Sequence, residues 1–480
     1  MKSLTPTALW TYFHEITQIP RPSKKEEKII AYLQAFGKNH NLVTKTDKVG
    51  NVLISKIGTK GYENREAVIL QAHVDMVCEK NNDVVFDFDT EPIQTYIDGD
   101  WIKARGTTLG ADNGIGMAMM LALLASDDIL HPPLECLFTV EEETGLAGAF
   151  GLENGFLTGK TLINLDAGDD SELFIGCAGG IDTVGQIAYK TIPTPQNSFA
   201  FEVSVKGLKG GHSGCDIEKE LGNANKILNR FLWQANQEIG LHLASFDGGN
   251  LRNVIPREAK AVACVPFAEK ERLRVLFNLF VSEMEGEKLK IEPDMKLTLE
   301  SCETPAEVIE KQTSDTLFDA LYACPHGVMA MSMDMSDLVE TSTNLASVKM
   351  LENNIIEITT SQRSSVESAK YDIANQVASA LKLGGASVSH GEGYPGWKPN
   401  LDSAILKIAD ENYEKLFGEK AKIRAIHAGL ECGLFLKKYP YLDMISIGPT
   451  MIGIHSPDEK LSISATQKCF KWLCGILESF

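Results

Sequence analysis

The sequence predicts an α/β protein whose mixed central sheet is flanked by helices, with an α+β domain inserted into the chain. Three observations lead to this prediction. Short apolar strand runs alternate with helical stripes over residues 1–186. Longer strands with alternating polarity dominate residues 187–394, and the first pattern returns over residues 395–480. A chain of 480 residues is longer than one hydrophobic core usually serves, so two domains are expected.

The first segment alternates helix and strand patterns. Apolar residues with helical spacing between residues 8 and 20 predict a first helix, and Ser23-Lys24-Lys25-Glu26 has the form of a capping box opening a second. Residues 114–125 are nearly all apolar and predict a buried helix. Short apolar runs predict strands at residues 51–55, 67–71, 134–140 and 161–165. Such alternation predicts a sheet covered by helices, with ligands at the carboxyl ends of its strands.

The middle segment follows a different pattern. Residues 199–205 alternate with period two, as in a half-buried strand of an antiparallel sheet. A helix at about residues 218–237, strands near 242–246 and 259–265, a helix at about 268–286 and a strand at 295–301 are predicted to follow, and a similar order recurs over residues 313–391. We therefore interpret residues 187–394 as an inserted domain of two related β-α-β-β-α-β halves. A strand at 445–448 and a helix at 464–478 then complete the first domain.

Composition narrows the class of function. The net charge of −19 argues against a nucleic-acid or anionic-membrane partner, because no excess of Lys or Arg is present to neutralise phosphates. The ten cysteines form no C-x-x-C pair, so neither a zinc ribbon nor a thioredoxin-like redox site is predicted. The sequence shows no secretory signal at its start and no apolar run of about 18 residues, which predicts a cytoplasmic location.

Acidic residues and histidines follow several of the predicted strands or begin the buried helix. They are His73, Asp75, Asp112, Glu141, Glu142, Glu143, Asp166 and His455. Imidazoles and carboxylates gathered at strand ends suit a divalent cation, and a pair of cations needs one shared carboxylate. Each signal alone has an ordinary explanation, such as a surface strand end, a helix N-cap for Asp112 or a solvated acidic turn for 141–143. Their shared topological position favours a two-metal hydrolase.

Six longer segments of the chain carry specific motifs. They are Gln71–Asn81, Thr107–Gly116, Gly176–Gly180, Gly210–Gly214, His427–Gly433 and His455–Glu459. In these motifs the chain resembles the aminoacyl-histidine dipeptidases, also called cytosol nonspecific or β-alanyl-histidine dipeptidases, within the aminoacylase and carboxypeptidase superfamily of two-zinc peptidases. The resemblance extends from near the start of the chain to its end. This resemblance implies a zinc-peptidase catalytic domain with an inserted α+β lid domain.

The resemblance also implies a ligand set for two Zn²⁺ ions. In that set Asp112 bridges the ions, His73 and Asp166 complete one site, and Glu143 and His455 complete the other. Mn²⁺ or Co²⁺ would suit the same imidazole–carboxylate ligands. The family further suggests a cis peptide bond between Asp112 and the residue after it.

Catalytic and substrate-binding roles follow from the same resemblance. Asp75 would orient His73, and Glu142 would be the general base. The family usually has Asp-Glu-Glu where this chain has three glutamates at 141–143. In the lid, His212 would contact the carbonyl oxygen as it becomes an oxyanion, and Arg363, assisted by Asn253, would bind the carboxylate of the dipeptide.

The implied activity is metal-dependent hydrolysis of dipeptides of the Xaa-His type, such as β-Ala-His, with a broader range expected. A zinc-bound hydroxide would attack the peptide carbonyl. A homodimer through the lid domain is expected from the resemblance. The alternatives are a tripeptidase, aminoacylase or carboxypeptidase of the same superfamily, or a non-catalytic homologue that only binds.

Overall fold

The computed structural model describes Met1 and residues 4–480, which form two compact units. The first unit comprises Met1–Gly176, Pro399–Ala425 and Leu430–Phe480, and the second comprises Cys177–Lys398 and Ile426–Gly429. The predicted domain boundaries after residues 186 and 394, and the role of the middle segment as a lid, stay predictions.

The described residues contain helices and strands in the following order along the chain. The α-helices are α1 Thr7–Thr17, α2 Glu27–Asn39, α3 Ala111–Ala125, α4 Ala147–Gly151, α5 Ala224–Ile239, α6 Lys270–Lys288, α7 Lys311–Ala323, α8 Glu367–Leu383, α9 Ala404–Phe417, α10 Glu431–Lys438 and α11 Ile463–Glu478. The strands are β1 Val43–Thr46, β2 Val52–Lys56, β3 Val68–His73, β4 Thr95–Asp98, β5 Trp101–Ala104, β6 Leu134–Thr139, β7 Thr161–Asn164, β8 Glu172–Cys177, β9 Gly179–Ala188, β10 Thr191–Pro193, β11 Ser198–Lys206, β12 His242–Gly248, β13 Ala259–Pro266, β14 Lys296–Ser301, β15 Glu307–Ile309, β16 Gly327–Met331, β17 Val339–Leu351, β18 Ile355–Ser364, β19 Ser387–His390, β20 Lys422–Ile426, β21 Asp443–Ser446, β22 Met451–Ile452 and β23 Lys460–Ser462.

The first unit is built on an eight-stranded mixed sheet with the order β1-β2-β6-β3-β7-β21-β8-β20. Its central strands β6, β3, β7 and β21 are parallel, whereas β1, β2 and β8 pair antiparallel at the sides. Every residue of β3 and β6 is buried, as expected where helices cover both faces of a parallel sheet. The predicted mixed sheet flanked by helices is confirmed.

A small sheet of order β22-β23-β5-β4 also belongs to the first unit. Strands β22 and β23 pair antiparallel, so residues 453–459 form the loop of a hairpin. This loop carries His455, whose backbone lies in the left-handed region with a φ of 65°. Left-handed backbone is uncommon for residues other than glycine and often occurs at functional loops.

The second unit contains a nine-stranded sheet in which two halves share the same layout. The main path has the order β14-β11-β13-β12-β17-β18-β9-β19, and β16 pairs with β17. Counted from the outer edges, β14-β11-β13-β12 corresponds to β19-β9-β18-β17. The second half thus takes its first strand, β9, from the chain that precedes the first half. Helices α5, α6, α7 and α8 bury apolar residues in one core with this sheet.

The capping box predicted at Ser23–Glu26 is wrong. Helix α2 begins at Glu27, and no side chain caps it. The Ser23 hydroxyl instead donates to Asp75 Oδ2 at 2.8 Å, while Glu26 Oε1 accepts the backbone N–H of Glu141 at 3.2 Å. Both side chains therefore form hydrogen bonds with residues distant in sequence instead of capping the helix.

Within Met1 and residues 4–480, no helix combines the length and the apolar character that crossing a lipid bilayer requires.

Candidate metal centre

Three neighbouring strands of the first unit end at one edge of its sheet, and the candidate ligands follow them. His73 is the last residue of β3 and pairs with Thr139, the last residue of β6. Glu142 and Glu143 follow β6. Asp166 follows β7, whose own last residue pairs with Gln71 of β3. The parallel registers therefore bring these side chains to a common edge.

Asp112 contacts a histidine with each of its two carboxylate oxygens. Its Oδ1 lies 2.9 Å from His73 Nε2, which is also 3.5 Å from Asp166 Oδ1. Its Oδ2 lies 3.2 Å from His455 Nε2, which is also 3.1 Å from Glu143 Oε1. The five side chains thus divide into two groups that share one carboxylate. The peptide bond that follows Asp112 is cis, as the resemblance implied.

The donor atoms fit a divalent cation. Ligand atoms of His73, Asp112 and Glu143 all lie within 4.8 Å of one another, so these three side chains could hold a metal ion. Burial raises the pKa of Asp166 to about 6, and repulsion from Asp112 adds to that rise. Packing carboxylates this closely is unfavourable without positive charge, and a cation between them would remove the repulsion.

Asp75 is fully buried and contacts both His73 and the acidic segment that follows β6. Its Oδ1 lies 3.4 Å from His73 Nδ1, so the opposite ring nitrogen faces Asp112. The same carboxylate accepts the backbone N–H groups of Glu142 at 3.0 Å and Glu143 at 3.2 Å. Burial is the largest influence on the pKa of Asp75 and would raise it, but the hydrogen bond and charge of His73 together with the hydrogen bonds from Ser23 and Glu142 lower it to about 2. One carboxylate thus fixes both an imidazole and the acidic segment.

Glu142 has a carboxyl group whose pKa is raised well above its usual value. Burial is the main cause, and the negative charges of Asp166 and Glu431 add to it, while His73 opposes the rise. A carboxylate with a raised pKa can both accept and return a proton near neutral pH. This is the chemistry expected of a general base.

A buried polar network, which the sequence patterns do not predict, adjoins the candidate ligands. Gln71 donates to Glu431 Oε2 at 2.6 Å, and the Thr139 hydroxyl donates to the same oxygen at 2.9 Å. Asn164 donates to Gln71 Oε1 at 2.6 Å. Burial raises the pKa of Glu431 to about 8. Polar residues inside apolar strand runs were the sequence signal that could have revealed this network.

The three other predicted site residues lie in the second unit. His212 Nδ1 accepts the backbone N–H groups of Gly214 at 3.2 Å and Cys215 at 3.1 Å. The proton of the neutral ring therefore resides on Nε2, which makes that nitrogen a donor. Burial lowers the pKa of His212, and the charge of Arg363 lowers it further, so the ring is neutral at neutral pH. Asn253 is exposed, and its backbone carbonyl accepts the N–H of Ser213 at 2.8 Å.

Arg363 is a buried cation without an acidic partner. It is 7% exposed, and Nη1 donates to the Tyr394 hydroxyl at 2.9 Å. Its Nε has no hydrogen-bond partner, and within Met1 and residues 4–480 no carboxylate oxygen lies within 4.0 Å of its guanidinium. A buried charge is costly unless it is paired, so this site is suited to an anion supplied from outside the chain.

Comparisons with known proteins confirm the resemblance. The sequence profile described as Peptidase family M20/M25/M40 matches residues 69–479. The cytosol non-specific dipeptidase of Escherichia coli (strain K12) is 44% identical over 478 residues, which cover 100% of this chain and 98% of that protein.

Solved structures agree with this match. The crystal structure of aminoacylhistidine dipeptidase from Vibrio alginolyticus has a TM-score of 0.92 at 44% identity and covers 100% of this chain and 98% of its own. A tripeptidase from Staphylococcus aureus has a TM-score of 0.57 at 16% identity, covering 99% and 98%, and this match concerns the fold alone.

Proposed function

Because this chain belongs to peptidase family M20/M25/M40, we propose that it hydrolyses dipeptides with the help of two divalent cations. The observation that carries the proposal is the shared carboxylate of Asp112, with one oxygen 2.9 Å from His73 and the other 3.2 Å from His455. A carboxylate placed in this way is the arrangement that a two-metal hydrolase requires.

Relatives of nearly equal length support a dipeptide substrate. The Escherichia coli relative is called a non-specific dipeptidase and the Vibrio alginolyticus relative an aminoacylhistidine dipeptidase, and each is 44% identical to this chain. We infer a broad range of dipeptides that includes Xaa-His substrates such as β-Ala-His. The name of the Escherichia coli relative also supports the proposed cytoplasmic location.

Zn²⁺ is the proposed cation at both positions, with Mn²⁺ or Co²⁺ as substitutes. His73 and Asp166 would hold one ion, His455 and Glu143 the other, and Asp112 both. When bound, such ions polarise the scissile carbonyl and lower the pKa of a water molecule to about 7.

The side chains around this centre supply the proton transfers. We assign Glu142 as the group that takes the proton from the attacking water and later delivers it to the leaving amine. Asp75 holds His73 in the tautomer whose Nε2 lone pair faces the centre, because the backbone carbonyl oxygen of Asp75 lies 3.2 Å from Nδ1 and its Oδ1 lies 3.4 Å from the same nitrogen. The two backbone hydrogen bonds to Asp75 hold Glu142 in place.

Residues of the second unit are proposed to bind the substrate. The Nε2–H of His212 would donate to the carbonyl oxygen as negative charge develops there. The unpaired guanidinium of Arg363 would bind the free carboxylate of the dipeptide, for which its planar fork is well shaped. Asn253 would assist, and a homodimer through this unit is also proposed from the family resemblance.

A substrate panel tests the proposed activity. Purified protein with added Zn²⁺ is expected to hydrolyse β-Ala-His and a dipeptide without histidine, but not a tripeptide or an N-acetyl amino acid. Chromatography of released amino acids measures each rate. A higher rate on the tripeptide or on the acylated amino acid would assign the chain to another activity of the family and contradict the proposal.

Replacing Arg363 by lysine is expected to reduce kcat/KM for dipeptides about 10- to 100-fold. The reason is that charged hydrogen bonds contribute about 1.5–3 kcal/mol and lysine cannot form the paired contact. A dipeptide amide, which lacks the carboxylate, should be a poor substrate for both proteins and should show little further loss in the variant. Arg252, an exposed arginine that pairs with Asp182 at 2.7 Å, provides the matched control Arg252→Lys. An equal loss on both substrates would contradict this role.

A further inference from the structure

Glu459 holds the backbone turn that leads into Asp112. Its Oε2 accepts the N–H groups of Leu109 at 2.7 Å and Gly110 at 3.0 Å. Its Oε1 accepts those of Ala111 at 2.8 Å and Asp112 at 3.3 Å. Four consecutive backbone donors thus converge on one carboxylate that is only 2% exposed. The bound turn positions the side chain of Asp112.

The same carboxylate connects the turn to another ligand-bearing segment. Glu459 lies in the hairpin loop between β22 and β23, four residues after His455. Because the loop is short, fixing one of its residues restricts the others. Glu459 therefore links the backbone positions of Asp112 and His455.

Arg21 holds the turn from its carbonyl side. Arg21 is 1% exposed, and its guanidinium donates to the carbonyl oxygen of Gly110. Its Nη1 also donates to the carbonyl oxygens of Val74 at 2.8 Å and Asp75 at 2.7 Å, directly after His73 at the end of β3. Arg21 therefore links the segment that carries His73 to the segment that carries Asp112.

Glycine residues make room for this arrangement. Gly110 has a φ of 67°, and a Cβ atom there would lie 2.6 Å from Arg21 Nη2. A Cβ atom on Gly114 would lie 2.8 Å from the same nitrogen. The backbone therefore approaches the guanidinium more closely than any larger residue would permit.

Arg21 and Glu459 do not pair with each other. Within Met1 and residues 4–480, no carboxylate oxygen lies within 4.0 Å of the Arg21 guanidinium, so each charge is satisfied by backbone groups of the ligand-bearing segments. Burying two charges is costly, and ordinary fold stability is served as well by apolar packing. A metal centre requires its ligands to be held within a few tenths of an ångström, and fixed contacts of this kind provide that precision.

We propose that Arg21 and Glu459 are positioning residues of the metal centre, which hold the segments bearing His73, Asp112 and His455 at the spacing that two cations require. This inference rests on the proposed two-metal function. Neither residue contacts the reacting atoms, and both act through the backbone next to the ligands.

The test measures metal binding by the full chain after its metal has been removed. Competition with a chelator gives the dissociation constants for Zn²⁺, the visible absorption of the Co²⁺-loaded protein reports ligand geometry, and thermal unfolding of the metal-free protein reports stability. Glu459→Gln, which keeps the shape of the side chain, and Arg21→Lys are each expected to weaken metal binding by about 10- to 100-fold and to change the Co²⁺ spectrum.

Glu135 provides a matched control within the same unit. It is also a buried glutamate, accepts the N–H groups of Thr158 at 2.9 Å and Gly159 at 3.0 Å, and lies at the start of β6, away from the ligand edge. Glu135→Gln should lower the unfolding temperature without changing metal affinity or the spectrum. If Glu459→Gln does not fold, Glu459→Asp, which keeps the charge but is shorter, is measured instead.

The outcomes separate this inference from the proposed function. Wild-type protein that binds no metal would overturn both. Wild-type protein that binds two ions, together with variants whose metal affinities and Co²⁺ spectra match it, would overturn the positioning role alone. Weakened binding in both variants but not in Glu135→Gln supports it.

Discussion

Replacement of Glu142 by alanine is expected to reduce kcat by about 10²- to 10⁴-fold while both metal ions stay bound. The carboxylate is not one of the five proposed ligands, so the ions keep their contacts. The proton of the attacking water, however, loses its acceptor. Steady-state kinetics on a dipeptide, together with metal analysis of the same preparation, measure the two effects separately.

Glu141 supplies the control for this substitution because it lies in the same acidic run and has no proposed role in the reaction. Its side chain lies 3.8 Å from the exposed Lys24, a contact expected to contribute little. Glu141→Ala should therefore keep nearly normal turnover. Near-normal turnover in Glu142→Ala, or loss in Glu141→Ala instead, would show that another group is the base.

Replacement of Asp112 by asparagine is expected to abolish binding of at least one metal ion and nearly all activity. An amide offers one neutral oxygen where the carboxylate places an oxygen near each of His73 and His455. Loss of a group that merely supports a ligand typically weakens metal binding about 10- to 100-fold, so loss of the shared ligand should cost more. Titration of metal-free protein with Zn²⁺ gives the number of sites and their affinities.

Asp458→Asn is the matched control for charge, since Asp458 is exposed in the same loop as His455 and is not a proposed ligand. It should bind two ions with wild-type affinity. Two intact sites in Asp112→Asn would mean that this carboxylate does not bridge the ions.

Sequence patterns predict five of the eight strands in the main sheet of the first unit, namely β2, β3, β6, β7 and β21, and the edge where the candidate ligands lie. The apolar run at 67–71 predicts β3, which the structure extends to His73, and the first titratable residue of this strand, which is buried on both faces, is its last. The same reasoning located Glu142, Glu143 and Asp166. Local hydrophobicity reports strand ends well because burial changes there within one or two residues.

Element starts set by side-chain hydrogen bonds were predicted less well. The first helix after residue 187 is predicted to begin at about residue 218, but α5 begins at Ala224, where Asn223 accepts the N–H of Lys226 at 3.1 Å. Residues 217–219 form a short 3₁₀ turn instead. Apolar spacing continues through both segments, so periodicity alone could not distinguish them.

Arg21 and Glu459 were missed because their partners are distant in sequence. A single charged residue in a loop is most often solvated, and nothing local to Arg21 indicates a contact with Gly110. In the sequence, Glu459 stands out only as the last residue of the His455–Glu459 motif. Contacts that join three separate segments depend on the folded arrangement, which no periodicity of the sequence encodes.

Elemental analysis of purified, active protein, followed by exhaustive chelation, tests whether dipeptide hydrolysis by this chain depends on two bound metal ions. We expect two divalent transition-metal ions per chain, loss of dipeptide hydrolysis when they are removed, and recovery when Zn²⁺ is returned. Active protein without any transition-metal ion, or hydrolysis that survives complete chelation, would contradict this expectation.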